Sequence, residues 1–148
     1  MKIWQLRVRE HFDAAHQLRD YVGPCARLHG HRWEVEVVFE VRELPLSGIA
    51  IDFGDIKQYL KEVLPDHRFL NEWMRENPTA ENIAQRLLRI IRLRFAEVFP
   101  KVSVQSATVW ESPECSVTYQ ESPANLEWNG ADAWVKRPDE SEGEGCNG

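Results

Sequence analysis

The sequence predicts an α+β fold in which a four-stranded antiparallel sheet carries two helices on one face. Two observations support this prediction. Residues 3–17 and 31–41 alternate between apolar and polar side chains, which is the period-two pattern of a half-buried strand. The residues after Asp52 and after Thr79 instead space their apolar side chains by three and four positions, as amphipathic helices do. The resulting order of elements is ββααββ.

The first two predicted strands carry their apolar side chains on matched faces. An irregular connection that includes residues 20–24 separates them, so we expect them to pair antiparallel. Even positions are mainly apolar in the first strand, and odd positions are apolar in the second. These positions are Trp4, Leu6, Val8, Phe12, Ala14 and His16 in the first strand, and Trp33, Val35, Val37, Phe39 and Val41 in the second.

Two helices and two further strands follow. Asp52 precedes an apolar stripe that ends at Pro65, and Thr79 is a suitable N-cap for a longer stripe that ends at Pro100. Two short strands, 102–111 and 115–120, are separated by a turn at 112–114. The stripes comprise Phe53, Ile56, Leu60, Val63 and Leu64 in the first helix, and Ile83, Leu87, Ile90, Ile91, Phe95 and Val98 in the second.

Length and composition indicate one globular domain. The chain has 148 residues and 17.3 kDa; residues 1–135 are assigned to the domain, and the polar, acidic residues 136–148 to a disordered tail. A net charge of −6 disfavours binding to nucleic acid or to an anionic membrane, because both need a basic face. No apolar run reaches the roughly 18 residues of a membrane span. Three cysteines are too few for a disulfide framework, so a reducing cytoplasm is the expected location.

The face of the sheet opposite the helices has no predicted cover. We expect this face to carry several large apolar side chains, which would favour assembly of several chains through their sheets. A chain of this size with a sheet of this extent is therefore expected to be an oligomer.

Three histidines predict a metal site. His29 and His31 are two positions apart, so on an extended chain they project to the same side, and His16 lies on the apolar parity of the first strand. If the two strands pair, three imidazoles converge, and three neutral imidazoles with an open fourth position are typical of catalytic zinc. The alternative for each histidine alone is a structural role in the core or in a turn.

Three further residues have chemistry that the pattern leaves open. Cys25, four residues before His29, is a candidate zinc ligand, an inert thiol or a reactive group, and a nearby cation would favour its thiolate form. Asp66 and His67 are adjacent in the loop after the first helix. Such a pair is commonly a surface contact, but beside a reactive cysteine it can relay protons.

Six ordered motifs resemble the 6-pyruvoyl-tetrahydropterin synthase family, and within it most closely the bacterial 6-carboxy-5,6,7,8-tetrahydropterin synthases of queuosine biosynthesis. The resemblance spans residues 3–120, and only the tail lies outside it. The motifs are Phe12-Asp-Ala-Ala-His16, Cys25-Ala-Arg-Leu-His29-Gly-His31, Ile51-Asp-Phe53, Asp66-His67-Arg-Phe-Leu-Asn71, Asn77-Pro-Thr79-Ala-Glu81-Asn82 and Trp110-Glu111-Ser112.

The resemblance implies a zinc lyase. Cys25 matches the family's catalytic cysteine, a general base, and Asp66 and His67 match its proton-moving partner pair. Two departures are present: Ala26 stands where the bacterial enzymes often have glycine, and Pro65 where leucine commonly precedes the Asp-His pair. Neither removes a catalytic group. The residues that match the family's zinc ligands are His16, His29 and His31.

The resemblance also implies how a pterin would be held. Glu111 matches the acidic residue that accepts hydrogen bonds from the pterin ring. Thr79 and Glu81 match the family's pattern too, but a helix N-cap and a first-turn acid explain them equally well. Arg27 is a candidate contact for the triphosphate, although an arginine on such a flank is commonly solvent-facing.

The family's fold is the T-fold, an antiparallel sheet with two helices on one side, which agrees with the order ββααββ. Its subunits trimerise into a barrel, and two trimers stack into a hexamer with active sites between subunits. The resemblance therefore implies a homohexamer, a dimer of trimers.

Four functions remain open from the sequence. The first is conversion of 7,8-dihydroneopterin triphosphate to 6-carboxytetrahydropterin, acetaldehyde and triphosphate. The second is the 6-pyruvoyl-tetrahydropterin synthase reaction, which eliminates triphosphate and keeps the side chain. The third is a retro-aldol activity on dihydroneopterin. The fourth, a non-catalytic module that binds pterin or zinc, is disfavoured because Cys25, Asp66 and His67 are all present.

Overall fold

A computed structural model describes residues 2–121, 126–128 and 134–136 of the chain. Within these residues the strands and helices follow the expected order, with short additions. The elements are β1 (Trp4–His16), β2 (His29–Val41), α1 (Phe53–Val63), β3 (Arg68–Phe69), α2 (Leu70–Trp73), α3 (Ala80–Val98), β4 (Ser103–Ser112), β5 (Cys115–Gln120), β6 (Leu126–Trp128) and β7 (Trp134–Lys136).

The main sheet has five strands in the order β3-β1-β2-β4-β5. All neighbours in it are antiparallel except β3, which runs parallel to β1. The register between β1 and β2 pairs Phe12 with Trp33 and, at the end of the ladder, His16 with His29. The predicted parity is therefore confirmed, because matched apolar positions of the two strands face the same side.

The hydrophobic core lies between the sheet and the helices. Helix α3 lies against β4 and β5, whereas α1 lies against β1. Both helices begin where predicted, and side chains cap them: Asp52 Oδ1 accepts from the Gly54 N–H at 2.6 Å, and Thr79 Oγ1, the predicted N-cap, accepts from the Asn82 N–H at 3.2 Å. The largest fully buried side chains include Trp33, Phe12, Phe39, Phe95, Ile56, Leu60 and Leu87.

The face of the sheet away from the helices is charged, so the expectation of large apolar side chains there is wrong. Arg9 Nε lies 3.1 Å from Glu36 Oε2, and Arg32 Nε lies 3.0 Å from Asp13 Oδ1 across the ladder. Parity assigns two large apolar side chains of β1, β2, β4 and β5 to this face, those of Val38 and Trp110. The pattern of Arg and Glu at alternating positions forms cross-strand ion pairs instead of an apolar surface.

Exposed apolar side chains lie elsewhere, at the start of β1 and in the segment before α1. They line a cavity of about 570 Å³ together with residues 48–52. Among them are Trp4, Leu44, Ile49 and Phe53.

Some elements were not predicted. The two-residue strand β3, the single-turn helix α2 and the hairpin of β6 and β7 are too short to show a period, although β3 places the Asp66–His67 loop beside β1. Lys136, assigned to the tail, ends β7, and residues 137–148 of that predicted tail lie outside the described residues. Among the described residues, no helix is long and apolar enough to cross a membrane.

Candidate active site

Three imidazoles converge where β1 ends and β2 begins. The ladder pairs His16 with His29 and Ala14 with His31, so the three rings share one face of adjacent strands. Their ring centroids are 4.5 Å apart for His16 and His29, 4.6 Å for His29 and His31, and 5.2 Å for His16 and His31. The ends of the two strands thus bring together the three histidines that the parity argument selected.

Backbone carbonyls orient two of these rings. His16 Nδ1 lies 2.8 Å from the carbonyl oxygen of Pro78, and His29 Nδ1 lies 2.6 Å from that of Arg27. A carbonyl oxygen only accepts hydrogen bonds, so each Nδ1 carries the hydrogen and each neutral ring presents the lone pair of Nε2. The two Nε2 atoms are 2.9 Å apart. Two lone pairs at this distance would repel each other, so the contact needs a proton or a metal ion between the two atoms. Such carbonyl partners are typical of histidines that bind metals.

Glu111 joins the histidine cluster. Its Oε1 lies 3.1 Å from His31 Nε2 and 3.5 Å from His16 Nε2, and one ligand atom from each of the four residues lies within 4.8 Å of the others. His31 Nε2 is buried and makes no hydrogen bond of acceptable geometry. Three imidazole nitrogens with a carboxylate oxygen are a donor set that suits Zn²⁺, so the residues present fit the implied metal.

Burial keeps two imidazoles in the form that binds metal. The His16 side chain is 1% exposed, and loss of hydration is the main reason that its pKa lies below the usual value. Burial likewise lowers the pKa of His31, although the carboxylate of Glu111 opposes the shift. Both rings are therefore neutral at pH 7, as a metal ligand must be.

A small cavity opens beside the cluster. It has a volume of about 230 Å³ and brings Thr79 and Glu81 to the same site as His16 and Glu111. Cys115, which belongs to none of the six motifs, also lines it, because β5 begins with Cys115 beside the end of β4. The remaining lining residues are Leu18, Ala80, Ser116 and Val117.

Thr79 caps helix α3 and also lines the cavity, and the stability of its variants tests the capping role. We expect Thr79→Ala to lower the free energy of unfolding by about 1 kcal/mol, because the first turn of α3 loses a hydrogen-bond acceptor. Thr79→Ser keeps the acceptor and is the matched control, with stability close to the unchanged chain. Urea unfolding of both variants measures the effect; equal stability of the alanine and serine variants would contradict the capping role.

The Asp66–His67 pair lies away from this cavity. Asp66 Oδ2 lies 2.9 Å from His67 Nδ1, and Asp66 Oδ1 accepts from the Asp13 N–H at 2.9 Å. The Asp13 N–H and then the neighbouring His67 lower the pKa of the Asp66 carboxyl. The side chain of Asp13 itself pairs with Arg32 on the charged face of the sheet.

His67 is exposed in an unusual backbone conformation. Its side chain is 82% exposed, and its φ of 55° is in the left-handed region that non-glycine residues seldom adopt. The His67 N–H donates to the Asp13 carbonyl at 2.7 Å, which anchors this backbone to β1. His67 lines an open cleft of about 550 Å³ together with His31, Arg32 and Arg68.

Cys25 and Arg27 lie on the connection between β1 and β2. Cys25 is in a single 3₁₀ turn, Pro24–Ala26, and is partly buried. Arg27 contributes its carbonyl oxygen to His29, and neither Arg27 nor Cys25 lines the cavity beside the cluster. One chain thus assembles the histidines with Glu111, Thr79 and Glu81, whereas Asp66 and His67 lie outside that cavity and His67 shares a separate open cleft with His31.

The sheet, its one-sided helices and the three histidines at the strand ends define a T-fold protein with a candidate metal site. The sequence profile described as 6-pyruvoyl tetrahydropterin synthase matches residues 5–122, and the chain belongs to this family. The solved 6-pyruvoyl tetrahydropterin synthase of Caenorhabditis elegans superposes with a TM-score of 0.68 at 25% identity, covering 82% of this chain and 98% of that one.

Curated relatives extend over most of the chain. A 6-carboxy-5,6,7,8-tetrahydropterin synthase of Rickettsia conorii is 31% identical over 137 aligned positions, covering 74% of this chain and 94% of the relative. The protein of the same name from Haemophilus influenzae is 30% identical over 138 positions, with the same coverage. The family resemblance proposed from the six motifs is confirmed.

Proposed function

We propose that the chain is a zinc-dependent lyase that converts 7,8-dihydroneopterin triphosphate and water to 6-carboxy-5,6,7,8-tetrahydropterin, acetaldehyde and triphosphate, a step of queuosine biosynthesis. The observation that carries the proposal is the convergence of the His16 and His29 Nε2 atoms, 2.9 Å apart, on rings that two backbone carbonyls orient. The names of the curated relatives favour the carboxy product over the pyruvoyl product.

The metal would be held by His16, His29 and His31, with the substrate's side-chain hydroxyls completing its coordination. Zinc bound there supplies Lewis acidity, which makes the C–H and hydroxyl protons of the substrate side chain easier to remove. The Pro78 and Arg27 carbonyls keep two of the rings oriented throughout.

Two groups of this chain would move protons. Cys25 Sγ acts as the general base that removes a proton from the substrate side chain, and His67 transfers protons on the opposite side of that side chain. Asp66 accepts a hydrogen bond from His67 Nδ1, so His67 Nε2 is left free for the transfer.

Glu111 would hold the pterin ring by accepting hydrogen bonds from N3–H and the 2-amino group. The cavity that it shares with Thr79 and Glu81 is the proposed place of the ring, and Arg27 is the proposed contact of the triphosphate. The proximity of Glu111 to His31 Nε2 makes the alternative role, that of a fourth metal ligand, directly testable.

Glu111→Gln separates the two roles of this residue. If Glu111 contacts the pterin ring, its charged hydrogen bonds contribute about 1.5–3 kcal/mol to binding. We therefore expect the KM of Glu111→Gln to rise roughly 10- to 100-fold, with its zinc content unchanged. Steady-state kinetics and metal analysis measure both quantities. Glu34→Gln, on the charged face of the sheet, is the matched control and should change neither. Loss of zinc in Glu111→Gln would instead identify Glu111 as a ligand.

We further propose a homohexamer whose active sites combine neighbouring subunits. The support is that Cys25, Asp66 and His67 all lie outside the cavity beside the histidine cluster of their own chain, as expected if neighbouring subunits complete each other's sites. The charged sheet face would line the interior of the trimeric barrel, which accounts for its ion pairs without an apolar contact.

Mixed oligomers test this arrangement. Cys25→Ala and His67→Ala chains are each expected to be inactive, but subunit exchange between them should restore activity. Roughly a quarter of the sites would then combine an intact Cys25 with an intact His67 from the neighbour, if subunits mix at random. Activity that stays absent, while mass spectrometry shows mixed hexamers, would place both residues in sites built from one chain.

Product analysis tests the reaction itself. Incubation with dihydroneopterin triphosphate should yield acetaldehyde and a carboxypterin, identified by mass spectrometry. A pyruvoyl side chain with no acetaldehyde would favour the second reaction. Binding of the pterin without any consumption would favour the non-catalytic module.

A further inference from the structure

The connection between β1 and β2 joins three candidate site residues but contributes little to the core. Residues 17–28 begin next to His16, carry Cys25 and end next to His29. Several of its side chains are exposed, including Val22 at 99% and Leu28 at 62%. Apolar burial therefore cannot fix the position of Cys25, and hydrogen bonds have to do so.

Asn71 holds the first residue of this connection with both ends of its amide. Its Oδ1 accepts from the Gln17 N–H at 2.9 Å, and its Nδ2 donates to the Gln17 carbonyl at 2.7 Å. One side chain thus replaces the backbone donor and acceptor that a neighbouring strand would offer.

Asn77 repeats the arrangement two residues further on. Its Oδ1 accepts from the Arg19 N–H at 2.9 Å, and its Nδ2 donates to the Arg19 carbonyl at 2.8 Å. The carbonyl of Asn77 in turn accepts from Asn82 Nδ2 at 2.9 Å, which ties it to the first turn of α3. Pro78, the next residue, supplies the carbonyl that orients His16.

The opposite edge of residues 17–19 forms hydrogen bonds with the turn that contains Cys25. In an extended chain the backbone groups of successive residues point to opposite edges, so Leu18 faces away from both asparagines. The Leu18 N–H donates to the Cys25 carbonyl at 3.1 Å, and Gln17 Nε2 donates to the Ala26 carbonyl at 3.1 Å. Residues 17–19 therefore link the two asparagines to the backbone on which Cys25 stands.

We propose that Asn71 and Asn77 are positioning residues that set the place of Cys25 relative to the histidine cluster. The inference rests on the proposed function of Cys25 as a general base. An amide is needed at both positions because it offers a donor and an acceptor together; a carboxylate accepts only and leaves the carbonyl of Gln17 or Arg19 without its donor.

The test compares Asn71→Ala and Asn77→Ala with Asn71→Asp and Asn77→Asp, which keep one of the two hydrogen bonds. A displacement of about 1 Å at a reacting group can cost 10²-fold, so we expect kcat to fall roughly 10- to 100-fold in the alanine variants, less in the aspartate variants, with zinc content and KM unchanged. Gln105→Ala is the matched control, because it removes an exposed amide that pairs with Ser103 Oγ at the far end of β4.

Two readouts do not depend on turnover. Hydrogen exchange at the backbone amides of residues 17–19 should be faster in the variants than in the unchanged chain. The rate at which iodoacetamide alkylates Cys25 should change, while the rate for Cys115 stays constant. Peptide mapping resolves both measurements. Unchanged exchange and unchanged alkylation would overturn the proposal, even if the native chain proved inactive on the pterin. Faster exchange with full kcat in active protein would also overturn it, because Cys25 would then not need the two asparagines.

Discussion

A chain in which alanine replaces His29 is expected to lose its metal and, with it, turnover of dihydroneopterin triphosphate. Removal of a residue that only hydrogen-bonds to a metal-binding histidine typically lowers metal affinity 10- to 100-fold. Loss of the ligand itself should therefore lower zinc affinity by more than about 100-fold. The ring of His29 is fixed by the Arg27 carbonyl at 2.6 Å, and His16 Nε2 lies 2.9 Å from its Nε2, so no nearby imidazole can take its place. Zinc content by atomic emission, together with initial rates, measures the effect.

His11→Ala is the matched control for this prediction. His11 is an exposed histidine of the same strand β1, but it pairs with Glu34 and faces the opposite side of the sheet from the cluster. We expect this variant to keep both zinc and activity. A His29→Ala chain that retained stoichiometric zinc with native affinity would show that the three imidazoles are not the metal site.

Substitution of Cys25 by alanine is expected to lower kcat by roughly 10²- to 10⁴-fold, the usual contribution of a general base. Zinc content should not change, because Cys25 is not one of the four residues whose ligand atoms cluster. The free energy of unfolding should change little, since Cys25 is only partly buried in a surface turn. Rapid-quench kinetics with zinc-loaded protein measures the chemical step directly.

Cys146→Ala is the control for thiol chemistry in general. Cys146 lies beyond residues 5–122, the part of the chain that matches the family, and its removal should leave the rate unchanged. If Cys25→Ala turned the substrate over at the native rate, another group would have to serve as the base. Loss of zinc in Cys25→Ala would instead assign the thiol to the metal.

The main strands and helices could be predicted from the sequence because each is long enough to show the period of its apolar side chains. Ten or more residues of alternation define β1 and β2, and the caps Asp52 and Thr79 place the starts of α1 and α3 correctly. The meeting of the histidines follows from the same parity, because antiparallel pairing of two strands brings the end of one to the beginning of the next.

The site was harder to predict where it depends on other interactions. Glu111 lies two positions after the buried Val109 on β4, but the β4–β5 register shifts between Trp110 and Ser112, so alternation alone could not place it beside the histidines. The carbonyl partners of His16 and His29 belong to the backbone and have no signature in the sequence. The expectation of an apolar sheet face was wrong although the alternation of β1 and β2 already assigns polar side chains such as Arg9 and Glu36 to the face away from the core.

Zinc dependence of the proposed reaction is tested most directly by adding zinc stepwise to chelator-stripped protein in the presence of dihydroneopterin triphosphate. The measured quantity is the rate of triphosphate release. Both candidate reactions release triphosphate, so the choice of product does not affect the result. We expect no triphosphate release without metal, and a rate that rises with added zinc to a plateau at one zinc per chain. Full release by metal-free protein, or none at the plateau, would contradict this expectation.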